Sequence, residues 1–272
     1  MKKFLYTLLM ATAVFSLAAC QQQEKPKKAK YVFYFITDGT GVNTILGQEM
    51  MQYELENGPG KWGRVPLCVT QFPVISVAST YSHSHGVTDS ASSGTALACG
   101  VKTSNGMIGE GPDSSAVYSI ATWAHELGIP TAVGTSVCIN HATPASFYAH
   151  ADSRKQYYKI GSQLAEAGFD FYGGSDINKA CDSTLTCYQI AENGGYTIAR
   201  GVLGYDSLKS KADKMLLLQR QEESDVDAFS LPYYLDAKPG QMTVIDILRA
   251  QIDFLYNYKG GKDKGFFIMN EI

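Results

Sequence analysis

The sequence predicts an α/β fold, a three-layer sandwich with a mostly parallel central sheet and helices on both faces. Three observations carry this. Residues 31–36 (YVFYFI), 215–218 (MLLL) and 266–269 (FFIM) are short apolar runs without polar alternation, the mark of strands buried on both faces of a parallel sheet. Helical stretches separate the strands, and strand–helix alternation calls for crossover connections. With 45% hydrophobic and 18% charged residues over 272 positions, the chain can bury a sizeable core and is not disordered, collagen-like or coiled-coil. Neither an internal repeat nor a linker interrupts 31–272, which reads as one domain.

The first thirty residues are an address rather than part of the fold. Met1, Lys2 and Lys3 precede a mostly apolar stretch over 4–17, followed by Ser16-Leu17-Ala18-Ala19-Cys20. The stretch is short and wrongly flanked for a stable span, and residues 1–19 read as a secretory signal. Small residues before a cysteine resemble the bacterial lipoprotein cleavage box. That resemblance implies that Cys20 becomes the mature N-terminus, carries lipid and anchors the protein in the bacterial cell envelope, in the periplasm or at the outer membrane. A plain secretory signal cut at the alanines is the alternative. Polar, lysine-rich residues 20–30 suit a tether. Beyond residue 30 the chain has 17 basic and 25 acidic residues, and an acidic body argues against nucleic-acid binding.

Along the body, strand 31–36 stops at a Thr37-Asp38-Gly39 turn, and a helix is expected over 42–56. A strand over 131–137 leads to Asn140-His141-Ala142-Thr143-Pro144, where Thr143 suits an N-cap and Pro144 the first helical position. Helices are expected over 153–167, 185–192 and 243–255, and strands over 169–172, 215–218 and 266–269. Helix 243–255 places Val244, Ile247, Leu248, Ile252 and Leu255 near one face. Cys181 and Cys187, six apart in a polar loop, are the expected disulfide in an exported protein. Cys68, Cys99 and Cys138 read as buried thiols. Without a C-x-x-C, a thiolate zinc site is not expected.

Ligands of such sheets gather at the carboxyl ends of the strands. Asp38 follows the first strand and Glu271 ends the last. If they meet, they form a hard-oxygen site for Mg²⁺ or, with histidines, Zn²⁺; Asp38-Gly39 is also an ordinary turn. Asp89 suits an N-cap and Gly100 a stop, so Ser90 opens a helix of small residues. Its N-terminus favours phosphate, and a serine there is placed to attack a bound anion once activated. No His/Asp partner lies at triad spacing and Gly-x-Ser-x-Gly is absent; metal coordination could lower the hydroxyl pKa instead. The competing reading is a capped, buried small-residue helix. Arg154 offers a guanidinium fork for phosphate oxygens, or is a solvated turn residue. His141 suits a metal ligand or a supporting role. His83-x-His85 lies in a polar loop, and His125 and His150 read as structural residues in helical stretches.

In order and spacing, residues 36–41 (ITDGTG), 88–106 (TDSASSGTALACGVKTSNG), 141–144 (HATP), 153–155 (SRK) and 266–271 (FFIMNE) resemble the alkaline phosphatase family. The resemblance implies hydrolysis of phosphate monoesters with Zn²⁺ and Mg²⁺ as cofactors. By it, Ser90 is the nucleophile, forms a phosphoserine and ligates zinc, and Asp38 bridges zinc and magnesium. Thr143 and Glu271 complete the magnesium ligands, Arg154 holds the phosphoryl oxygens, and His141 lies near the magnesium. The family's remaining zinc ligands come after the segment matching Glu271, so the chain is read as the N-terminal portion of a longer enzyme. Asn270 departs from the small apolar residue expected there. Family members are often homodimers. Two further readings compete: a related phosphodiesterase or sulfatase, and an inactive, lipid-anchored remnant that binds phosphate.

Overall fold

The computed structural model describes residues 28–181 and 184–272. The expected signal, Cys20 and most of the tether lie outside the described residues. Residues 31–272 form one compact unit. Its elements are β1 Tyr31–Ile36, α1 Val42–Asn57, a 3₁₀ turn Cys68–Gln71, α2 Ser90–Cys99, α3 Ile120–Glu126, β2 Thr131–Thr135, α4 Ala142–Ala145, α5 Tyr157–Ser162, α6 Leu164–Ala167, β3 Phe171–Gly174, α7 Cys187–Asn193, β4 Tyr196–Arg200, α8 Gly201–Leu208, β5 Lys214–Leu218, α9 Gln221–Ser224, α10 Val244–Tyr258, α11 Gly261–Lys264 and β6 Phe266–Glu271.

The strands form one six-stranded sheet in the order β1-β6-β2-β3-β5-β4, every neighbouring pair parallel. Alternate residues feed opposite faces. Val133, Tyr172, Leu216, Leu218, Phe267 and Met269 join the core on the α2 and α4 side. Ala132, Phe171, Met215, Leu217, Phe266 and Ile268 join the core on the α10 side. Ile247, Phe254 and Leu255 of α10 are fully buried, each worth about 1.5–3 kcal/mol of apolar transfer. Thr243 caps α10 in a reciprocal box with Asp246.

β6 lies between β1 and β2, so Glu271 is in register with both Ile36 and Thr135. This places the last strand's acid beside the turn that carries Asp38. It also accounts for Asn270. Its Nδ2 donates to Gln251 Oε1 of α10 at 2.5 Å, in space left open by the missing side chain of Gly134 on the adjacent strand.

Several expectations are corrected. β1 is not buried on both faces: Tyr31, Phe33 and Phe35 are exposed, because β1 is an edge strand whose Tyr31 and Phe33 rings are covered only in part, by Phe266 and Tyr256. The helix expected over 153–167 starts at Tyr157 and divides into α5 and α6; ahead of it, the Arg154 backbone N–H donates to Gly106 O at 2.7 Å. Thr143 does not cap α4; His141 holds that position and Thr143 lies within the first turn. The expected disulfide is not formed. Cys187 is a buried thiol whose Sγ contacts Tyr158 O at 3.7 Å, and burial pushes it up to about 11. Cys68 is exposed and Cys99 half-buried, while Cys138 is buried as expected. His150 is in a loop rather than a helix, its Nδ1 2.6 Å from Gly109 O.

Candidate active site

Local chemistry fixes Ser90. Asp89 is extended at the N-cap, and its Oδ1 accepts from Ser92 N at 3.0 Å. Gly100 ends α2 in the left-handed region at φ 72°. Small residues let α2 lie against α4: a Cβ on Gly94 would meet Ser146 Oγ at 2.7 Å and the Thr143 Cα at 3.5 Å. Ser90 therefore stands at the carboxyl edge of the sheet, where its Oγ donates to Asp38 Oδ2 at 2.8 Å.

Arg154 reaches the same place from the loop after α4. Its Nη1 donates to Asp89 Oδ2 at 3.2 Å and its Nη2 lies 3.0 Å from His141 Nε2. Burial alone would raise the Asp89 carboxyl. Hydrogen bonds from Ser92 N, Gly106 N, Ser92 Oγ and Arg154 outweigh it and hold the group below the usual carboxylate range. Burial, reinforced by the charge of Arg154 and only partly opposed by Asp38, pushes His141 down to about 4. A neutral imidazole accepts from Arg154 at Nε2 and so carries its proton on Nδ1, which is buried without a partner among the described residues.

Glu271 is 3% exposed and takes a 2.6 Å hydrogen bond from Thr135 Oγ1. Burial raises its carboxyl; Thr135 and the nearby Thr143 favour the anion, and the charge of Asp38 opposes it. The Thr143 hydroxyl is buried beside Glu271, and among the described residues no well-formed hydrogen bond closes to it. A buried carboxylate beside an unsatisfied hydroxyl and a second carboxylate is a donor set for a hard dication. It fits Mg²⁺, which binds through one or two carboxylates and keeps several waters. Zn²⁺ fits poorly. Among the described residues no three His, Cys, Asp or Glu side chains converge to hold a metal, and the histidine nearest these acids is turned to Arg154.

Of the residues singled out from sequence, Asp38 meets Ser90, Arg154 meets the residue preceding Ser90, and Thr143 and Glu271 lie together. His83 and His85 stay in a loop, where His85 Nδ1 pairs with Ser84 Oγ at 2.7 Å. His125 packs its ring on Phe169. Asp89, legible in the sequence only as a cap, and His141, whose role the sequence leaves open, both hold Arg154. Thr135 is missed from sequence, its position at the end of a strand leading to this edge being the available signal.

A family model described as alkaline phosphatase matches residues 29–183. The human tissue-nonspecific alkaline phosphatase is 33% identical over 139 residues, 47% of this chain and 26% of that protein. The corresponding isozyme of Gallus gallus is 31% identical over 178 residues, 61% of this chain and 33% of that protein. The solved alkaline phosphatase of the Antarctic bacterium TAB5 has a TM-score of 0.71 and 30% identity, covering 90% of this chain and 66% of that one. A histidine-to-glutamate variant of it, solved with magnesium bound, has the same TM-score and identity. The matches thus span about a quarter to a third of these two curated relatives. With more than half of its residues matched and the architecture of those enzymes, the chain belongs to the alkaline phosphatase family.

Proposed function

We propose that this chain hydrolyses phosphate monoesters through a phosphoserine formed on Ser90. One observation carries the reading: Asp89 caps the helix that Ser90 opens and also grips Arg154, so a single carboxylate fixes an attacking hydroxyl and a phosphate-binding cation side by side. The monoester's phosphoryl group would lie at the N-terminus of α2, whose free N–H groups and positive dipole end favour anions. Arg154 carries five N–H donors, of which two are engaged by Asp89 and His141; the rest can receive phosphoryl oxygens. Ser90 Oγ, its proton directed at Asp38, attacks phosphorus. The new Oγ–P bond replaces the ester P–O bond, and the alcohol leaves with a proton. Water then cleaves Oγ–P, releasing phosphate and restoring the hydroxyl.

Asp38, Thr143 and Glu271 would hold Mg²⁺. When bound, that ion supplies fixed positive charge where negative charge collects during phosphoryl transfer. The lack of three converging metal ligands among the described residues favours a second reading, in which the chain binds phosphate without turnover. Supplying the full chain with Mg²⁺ and, in turn, a monoester, a diester and a sulfate ester separates the cases. Release of phosphate from the monoester alone supports the proposal; preference for the diester or the sulfate ester, or retention of phosphate without hydrolysis, overturns it. We further propose anchoring at the bacterial envelope through lipid on Cys20, on the strength of the sequence around the cleavage box.

A further inference from the structure

We propose that Phe229 is a positioning residue for the phosphate-holding arginine, acting through His141. The inference rests on the reading of Arg154 as the group that receives phosphoryl oxygens.

The segment after β5 returns across the carboxyl edge of the sheet and is fastened along its length. Arg200 Nη1 donates to Gln219 O and to Ser224 Oγ, both at 3.2 Å, and Gln219 Nε2 donates to Asp227 O at 2.5 Å. Arg200 is itself held by the buried carboxylate of Asp176, at 2.8 Å. Around Phe229 the backbone is fixed on both sides. Ser175 Oγ donates to Ala228 O at 2.9 Å, Phe229 N donates to Asp227 Oδ1 at 2.8 Å, and Leu231 N donates to Ser136 O at 2.8 Å. A bridge joins Ser230 to Val137.

This bracket leaves the Phe229 side chain 40% exposed at the rim of the site instead of turning it into the core. Its ring meets the His141 imidazole edge to face, with centroids 5.4 Å apart and planes at 82°. His141 needs such a contact. Its Nε2 is spent on Arg154, and among the described residues its Nδ1 has no hydrogen-bond partner to fix the ring from the other side. The side chain of His141 also makes no cap on α4. Ring orientation therefore depends on packing, and the ring of Phe229 supplies it. If the imidazole turns, Nε2 leaves Arg154, and the guanidinium keeps Asp89 as its remaining side-chain tether.

Calorimetric titration of the full chain with inorganic phosphate, in Mg²⁺, tests this. Phe229→Ala should raise the phosphate Kd roughly three- to tenfold, the range of an aromatic edge-to-face contact, and Phe229→Tyr should restore it. In a His141→Ala background, Phe229→Ala should change the Kd no further. Should Phe229→Ala not fold, Phe229→Leu takes its place, with a smaller rise expected and the same dependence on His141. An unchanged Kd in the wild-type background overturns the proposal, as does an equal rise in both backgrounds. Arg154→Ala, measured in parallel, separates the two levels. If it leaves phosphate binding intact, the reading of the site falls and this inference with it. If it abolishes binding while the Phe229 variants do nothing, this inference alone falls.

Discussion

Arg154 donates through Nη1 to Asp89 Oδ2 at 3.2 Å, and Asp89 is the residue immediately before Ser90. The contact closes a small circuit. Gly106 N donates to the same carboxylate, and Gly106 O accepts from the Arg154 backbone at 2.7 Å. Two chain segments, far apart in sequence, are fixed to the start of one helix. Asp89 therefore does more than cap α2: it sets the distance between a hydroxyl and a cation.

Removing that carboxylate should cost both stability and geometry. Asp89→Ala loses a helix cap and a charge-assisted contact, an expected destabilisation of roughly 1–3 kcal/mol in denaturant unfolding. The pH dependence has a definite sign. The folded carboxyl titrates below its unfolded value of about 3.9, so its stabilisation is present above that value and is lost as pH falls through the folded one. Asp89→Asn should flatten this acid limb, and an unchanged acid limb would deny the carboxylate this role.

Arg154→Lys keeps the charge and loses the planar fork. A lysine ammonium cannot hold Asp89 and His141 while presenting two parallel donors to a phosphoryl group. Phosphate affinity should fall about tenfold or more, with folding stability nearly unchanged because the side chain is partly exposed. Isothermal titration with phosphate and a thermal melt together check this; parity with the wild type in both would leave the fork without a role.

Glu271 and Thr143 form the part of the site expected to respond to Mg²⁺. Binding confined to the folded state stabilises by about 2.7 kcal/mol at a hundredfold excess over Kd. Mg²⁺ should raise the Tm of the wild type, and Glu271→Gln should suppress that rise. Thr143→Val should reduce the rise, because it removes a buried hydroxyl beside Glu271. An equal Mg²⁺ response in all three proteins would place the ion elsewhere.

The parts of this fold legible in the sequence are those decided locally. α2 is readable from both ends because Asp89 and Gly100 satisfy helix-terminal groups with their own atoms. Strands such as β5 and β6 are readable because two buried faces demand unbroken apolar runs. β4 escapes such a reading: Tyr196–Arg200 is an edge strand in which only Tyr196 and Ala199 are buried, a spacing that fits neither strict alternation nor an unbroken apolar run. The late start at Tyr157 is unreadable because the residues ahead of it are held by a distant partner, Gly106 O, far upstream. The meeting of Glu271 with Thr135 depends on β6 entering between β1 and β2, a fact of topology and not of spacing. The bond from Arg154 to His141 likewise needs the packed structure.

Cys20 supplies a prediction independent of the site. If lipid on this residue anchors the protein, Cys20→Ser should move it from the detergent phase to the aqueous phase on phase partitioning of cells that express it. Wild-type protein found wholly in the aqueous phase would favour the plain secretory signal.

Ser90 carries the central claim, and mass spectrometry of the full chain quenched in acid during exposure to a phosphate monoester with Mg²⁺ tests it most directly. The expected result is one added phosphoryl group, mapped to the peptide containing Ser90 and absent from Ser90→Ala. Hydrolysis that proceeds in Ser90→Ala at the wild-type rate, or a phosphoryl group mapped to any other residue, would contradict it.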